Sequence, residues 1–136
     1  MIPQLINQLK QNKTPLKEGC NFEELKKLEK ILDYKLPNDF IEFYRLTNGY
    51  DEDCSFEKQR IWDIERITSE FLEYNDEYVR FSDFMINAPW IGFSKKDGKI
   101  YIGAGLKNEF YGYTDLIANN FSEFIELIIS NSDKLY

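Results

Sequence analysis

The sequence predicts an α+β fold: amino-terminal helices and a closing helix packed on a mixed or antiparallel sheet. Three observations point there. Apolar residues recur at helical spacing through the first 48 positions. Beyond Gly49 the pattern changes to short runs rich in aromatic and β-branched residues, broken by Asn, Asp, Gly and Pro. A capped amphipathic segment then closes the chain near its end. With 136 residues and no internal repeat, low-complexity tract or linker, residues 1–136 read as a single domain.

Each element has its own signal. Ile2, Leu5, Ile6 and Leu9 predict a helix over 2–12, with Pro3 in the first turn where its missing N–H costs nothing. Asn21 and Glu24 form an N-x-x-E capping box ahead of "FEELKKLEKIL", whose Phe22, Leu25, Leu28 and Leu32 share a stripe with Ile31 beside it. That helix is expected to end before Pro37, which disfavours helical geometry at Leu36. Pro37 in turn opens a third helix carrying Phe40, Phe43, Tyr44 and Thr47, widened by Ile41 and Leu46. Asn48-Gly49 accepts a left-handed backbone and is expected to stop it.

"RIWDIERI" alternates Ile61, Trp62 and Ile64 with charges and reads as a strand or an extended edge. "TSEFLEYNDEY" fits either a short helix or an irregular loop. "FSDFMINAPWIGF" is rich in strand formers, but Pro89 confines it to an edge, a bulge or two shorter pieces. Asp97-Gly98 is the strongest hairpin signal in the chain, and "EFYGYTDL" supplies one more strand. Asn120 and Glu123 make a second capping box before a last helix lined by Phe121, Phe124, Ile125 and Ile128.

Charge is unevenly placed. The net charge is −7, and the window Asp51–Glu77 alone holds ten acids against Lys58, Arg60 and Arg66. The remainder balances, so the window carries the whole excess. A face of this kind repels nucleic acid and anionic membrane and attracts a basic protein; the plainer reading is a solvated surface that keeps the chain soluble. No apolar run approaches the roughly 18 residues of a membrane span. The start "MIPQLINQLKQNK" has no basic segment followed by a long apolar block, so a cytoplasmic location is expected, with Cys20 and Cys54 as reduced thiols.

A search for chemistry finds little. The chain has no histidine, which removes the commonest general base and metal ligand. Two distant cysteines make no zinc site, and "GAG" at Gly103–Gly105 is too short for a phosphate loop. "DEDCSFE" fails as a calcium loop, because Phe56 stands where the turn glycine belongs and Trp62 where the bidentate glutamate belongs. No carboxylate pair stands out. The expectation is a protein that is not an enzyme and has no catalytic residues, metal or cofactor. Trp62 and Trp90 read either as core packing or, for one of them, as an exposed interface anchor.

The stretch "FEELKKLEKILDYKLPNDFIEFYRLTNG" resembles the amino-terminal signature of the SUKH superfamily, which includes the yeast cell-wall assembly regulators. The resemblance rests on Leu28-Glu29, Leu36-Pro37, Asp39-Phe40 and Asn48-Gly49. "RIWDIERI", "FSDFMINAPWIGF" and "IANNFSEFIELI" are similar to later family segments, so it runs over most of 22–129. It implies a small α+β interaction domain. Bacterial members are mostly immunity proteins that bind and neutralise the toxin domain of an interbacterial polymorphic toxin, often a nuclease. Eukaryotic members are regulatory interaction proteins, and a non-catalytic regulatory or scaffold role is the alternative here. On the immunity reading the partner is a cognate, basic toxin domain. The docking residues are then Asp51, Glu52, Asp53, Glu57, Glu70, Glu73, Tyr74, Asp76 and Glu77, with Trp62 as apolar anchor and Tyr78 nearby. The sequence leaves the oligomeric state open.

Overall fold

The computed structural model describes residues 1–51, 59–84, 89–104 and 113–135. Helix α1, Ile2–Gln11, buries Ile2, Leu5, Ile6 and Leu9, as its spacing predicts. Helix α2, Phe22–Leu32, is held by the full capping box: Glu24 N donates to Asn21 Oδ1 at 2.9 Å and Asn21 N to Glu24 Oε1 at 3.2 Å. Leu25, Leu28 and Leu32 face the core, whereas Phe22 and Ile31 are exposed. Phe22 sits at the first helical position, outside the buried stripe, and carries the Arg45 guanidinium 3.7 Å over its ring. Asp33, left-handed at φ 51°, ends the helix well ahead of Pro37.

Helix α3, Asn38–Leu46, starts from an extended Pro37 and buries Phe40, Phe43 and Tyr44 completely. Asn48-Gly49 does not stop it. Thr47 leaves the helix in an extended conformation, and the Asn-Gly pair instead shapes the next connection. Gly49 has φ +83°, and a Cβ there would lie 2.5 Å from Trp62 O. Asn48 Oδ1 accepts from Ile64 N at 2.9 Å, and the Tyr44 hydroxyl donates to Trp62 O at 2.6 Å. The end of α3 thus clamps the entry to the following helix.

That helix corrects the reading of "RIWDIERI". Only Arg60–Ile61 form a strand, β1, and residues from Ile64 belong to α4, Ile64–Tyr74. Asp63 accepts from Arg66 N at 2.9 Å and caps α4, while Ile64, Ile67 and Phe71 follow at helical spacing and are buried. A capped helical period therefore overrides the local alternation.

Strands β2, Tyr78–Asp83, and β3, Trp90–Ser94, are the two pieces into which Pro89 divides their segment. Strand β4, Ile100–Ala104, follows a turn in which Gly98 has φ +72° and Ser94 N donates to Lys99 O. Strand β5, Tyr113–Ala118, lies further along than expected, and residues 109–112 of that expectation fall outside the described residues. Helix α5, Phe121–Ile129, is capped by Asn120, though Glu123 reaches back to Asn119 N rather than to Asn120 N. A short 3-10 turn, Asp133–Leu135, follows it.

The sheet runs in the order β1-β2-β3-β4-β5 and every pairing is antiparallel. One face, carrying Val79, Phe81, Ile91, Phe93, Ile100 and Ile102, joins the helices in a single apolar core. Phe40 of α3 meets Phe81, Phe93 and Phe121 at ring distances of 6.2, 5.7 and 5.1 Å, and Phe124 of α5 meets Phe81 at 4.9 Å. Helix α4 packs on β2 and α2, so one flank of it stays at the surface.

Candidate protein-docking site

The residues singled out as a docking surface collect around α4. Glu52, Asp53 and Glu57 lie outside the described residues. Asp51 and Trp62 fall near the amino end of α4, while Glu73, Tyr74, Asp76 and Glu77 fall at or beyond its carboxy end. An 11-residue helix at about 1.5 Å per residue separates the two groups by roughly 16 Å.

At the amino end the acids serve the fold. Asp63, 6% exposed, caps α4 and receives the Lys17 ammonium at 2.9 Å. Trp62 is 3% exposed, so it does not present an apolar anchor. Its indole N–H donates to Asp83 Oδ1 at 2.8 Å, and the Arg66 guanidinium lies 4.1 Å over its ring. Arg66 also reaches Asp83 Oδ2 at 2.9 Å, and Asp83 is wholly buried. Burial took Trp62 because its N–H finds a carboxylate and its carbonyl finds Tyr44. A cavity of about 130 Å³ beside it is lined by Tyr50, Asp51, Arg60, Ile61, Trp62, Asp63 and Arg66, two acids against two bases. Glu70 lies 3.8 Å from Arg66 and is mostly buried, and among the described residues its Oε2 has no hydrogen-bond partner.

The carboxy end repeats the pattern. Asp76 takes two N–H bonds from Arg80, at 3.0 and 2.9 Å, and Arg80 is 4% exposed. Its guanidinium lies 4.4 Å from the rings of both Tyr74 and Trp90. Trp90, like Trp62, is buried. Glu77 pairs with Lys96 at 3.4 Å, a base from outside the acidic window. On the neighbouring turn the Tyr101 hydroxyl donates to Asp97 at 2.5 Å, which holds that carboxyl below its ordinary range and pushes the phenol up to about 12. Among the described residues no group of three or more His, Cys, Asp or Glu side chains could hold a metal ion.

What the helix leaves exposed is narrower than the window and partly new. Glu65, Ser69, Leu72 and Glu73 are exposed on α4, and Leu72 is 62% exposed. Glu73 was expected, but Leu72 was not, and Glu65 had been counted only as charge. Helical phase carries the missing signal: with Ile64, Ile67 and Phe71 inward, positions 65, 69 and 72 must face out. The arrangement is an exposed apolar side chain on a capped helix that also exposes two carboxylates, Glu73 next to Leu72 in the chain and Glu65 about two turns back along the axis. It can bind a surface with bases beside an apolar spot.

The sequence matches the SMI1 / KNR4 family (SUKH-1) over residues 19–127. The chain belongs to this family. The SUKH-1 match begins at Gly19, just before the α2 cap, and ends within α5, so it takes in α2, α3, α4 and the whole sheet. Helix α1 lies outside it. The Leu36-Pro37 and Asn48-Gly49 motifs fall inside the match, at the entry to α3 and at the clamp on α4. No curated protein matches the sequence. No helix among the described residues is long and apolar enough to cross a membrane.

Proposed function

We propose that this SUKH-1 protein is an immunity protein: it binds a cognate toxin domain of basic surface, in the cytoplasm, and neutralises it without catalysis of its own. Family membership over 19–127 is the observation that carries the reading. The exposed face of α4 supports it, because Glu65, Leu72 and Glu73 stand exposed on an element fixed at both ends. A nuclease toxin is the partner this charge suits best, since its own cleft must attract nucleic acid. Opposite charge also speeds capture, toward about 10⁸ per molar per second at low salt, and a cell that makes the toxin needs fast capture.

The test is co-expression with the carboxy-terminal domain of a large secreted protein encoded beside this chain. Rescue of growth from that domain supports the reading. Failure to rescue, together with failure of the purified proteins to associate, would move the chain to the non-catalytic regulatory or scaffold role.

A further inference from the structure

Helices α2 and α4 pack against each other and run in the same direction. Their first turns meet at Cys20, where burial, with the charges of Glu24, Glu65 and Asp63, raises the thiol to about 12. Their last turns meet at the β3–β4 turn. There Lys95 Nζ lies 5.1 Å over the Phe71 ring, and a Cβ on Gly98 would stand 3.3 Å from the Tyr34 hydroxyl. What holds the outer flanks shows which flanks face each other. On α2, Phe22 carries Arg45 of α3, and Ile31 stands half a turn round the helix from it. On α4, Arg66 turns toward Asp83 with Glu70 beside it, and Leu72 lies on the other side. Both helices then repeat one order along the groove between them. Each has a glutamate in its first turn, Glu24 or Glu65, and an exposed apolar residue seven positions on, Ile31 at 41% or Leu72 at 62%. Seven residues are about two turns, so each acid lies about 10 Å along its helix from the apolar side chain on the same face. Lys27 stands between Glu24 and Ile31, which confines the α2 carboxylates of this flank to the start of the helix.

We infer that this two-helix groove docks one element of the toxin domain: an amphipathic helix that sets a bulky apolar side chain between Ile31 and Leu72 and holds Lys or Arg about two turns away, over Glu24 and Glu65. The inference rests on the immunity reading proposed above and adds α2 to its docking face. Shape and charge both argue for this occupant. A groove between two packed helices accepts the side-chain ridge of a third. Apolar residues at one end of the groove and acids at the other match a helix whose own apolar and basic residues are two turns apart. The direction follows from the dipoles. The starts of α2 and α4 are the positive ends of both helices, so an incoming helix that runs antiparallel brings its negative carboxy end there. Bases in its last turn are then favoured by their own helix and meet Glu24 and Glu65.

The experiment is titration calorimetry of the whole chain against the carboxy-terminal domain of a large secreted protein encoded beside it, for wild type and four variants. Ile31→Ala and Leu72→Ala should each weaken binding about tenfold, and Ile31→Lys about a hundredfold, with cooperative unfolding retained in all three. Leu46→Ala is the control, because Leu46 is 51% exposed but stands at the end of α3, off the groove, and this variant should bind as wild type. Wild-type affinity in both Ile31 variants would overturn the inference and leave the immunity reading in place. An equal loss for Leu46→Ala would also overturn it, since apolar exposure in general rather than this groove would then carry the binding. No binding by the wild-type chain would overturn the inference and the immunity reading together.

Discussion

Replacing Asp83 with alanine should cost this protein a large share of its stability, although Asp83 touches no solvent. Two losses combine. The Trp62 indole N–H, in a residue 3% exposed, loses its acceptor at 2.8 Å, and an orphaned buried donor costs about 1–3 kcal/mol. The Arg66 guanidinium loses its partner at 2.9 Å, but it is one-third exposed and keeps Glu70 nearby, so that loss adds about 1 kcal/mol or less. Together the change is about 2–4 kcal/mol. With a urea slope of roughly 1.5 kcal/mol per molar, the midpoint falls by about 1–3 M. Urea titration followed by tryptophan fluorescence measures this directly, with Glu73→Ala as a surface control that should move stability by about 0.5 kcal/mol or less. A loss below about 1 kcal/mol for Asp83→Ala would refute the view that this carboxylate holds Trp62 inside.

The remaining predictions concern the clamp and the core. Gly49→Ala should destabilise by more than about 2 kcal/mol, because the new Cβ meets Trp62 O at 2.5 Å and Ile61 O at 2.7 Å with φ at +83°. A near-neutral result in a denaturant titration would contradict the close approach. Alkaline pH should weaken the fold. Burial pushes the Cys20 thiol from 9.0 up to about 12 and the Tyr44 hydroxyl well above 10, so both stay protonated in the native state after the unfolded chain has lost the protons. Stability from these groups is complete below pH 9 and declines above it, by about 1.4 kcal/mol per pH unit for each group that has reached its window. Cys20→Ala should remove the part that starts at pH 9, and an unchanged slope between pH 9 and 10 would contradict the assignment.

Much of the architecture was legible because local signals agreed with the tertiary ones. The Asn21–Glu24 box, the α1 stripe, the Asp97-Gly98 turn and the Asn120 cap each stand in the sequence as they stand in the fold. "RIWDIERI" failed because Asp63 was counted as one beat of a strand alternation. It is the cap of a helix whose period appears only when Phe71 is included. Asn48-Gly49 was rightly read as a left-handed point, but its purpose depends on Trp62 O, a neighbour in space that spacing along the chain does not reveal.

The candidate site was less legible for the same reason. Charge per window is a sequence quantity, whereas exposed charge depends on which bases fold in from elsewhere. Lys17 reaches Asp63, Lys96 reaches Glu77, and Arg80 takes Asp76. Those pairs use acids that the window counted as free. Glu65 and Glu73 remain in solvent, and exposed Leu72 between them replaces Trp62 as the apolar element.

The measurement that bears most directly on the proposed function is the association rate of this chain with the carboxy-terminal domain of a large secreted protein encoded beside it, at about 0.02 M and about 0.5 M salt, for wild type and for the Glu65→Lys/Glu73→Lys double variant. The expected result is tight wild-type binding whose rate falls steeply with salt, and a folded variant on the order of tenfold slower at low salt but level with wild type at high salt. Equal rates for the two proteins at low salt would contradict the α4 docking face while leaving the immunity role standing. No wild-type binding in either buffer would contradict the immunity role itself.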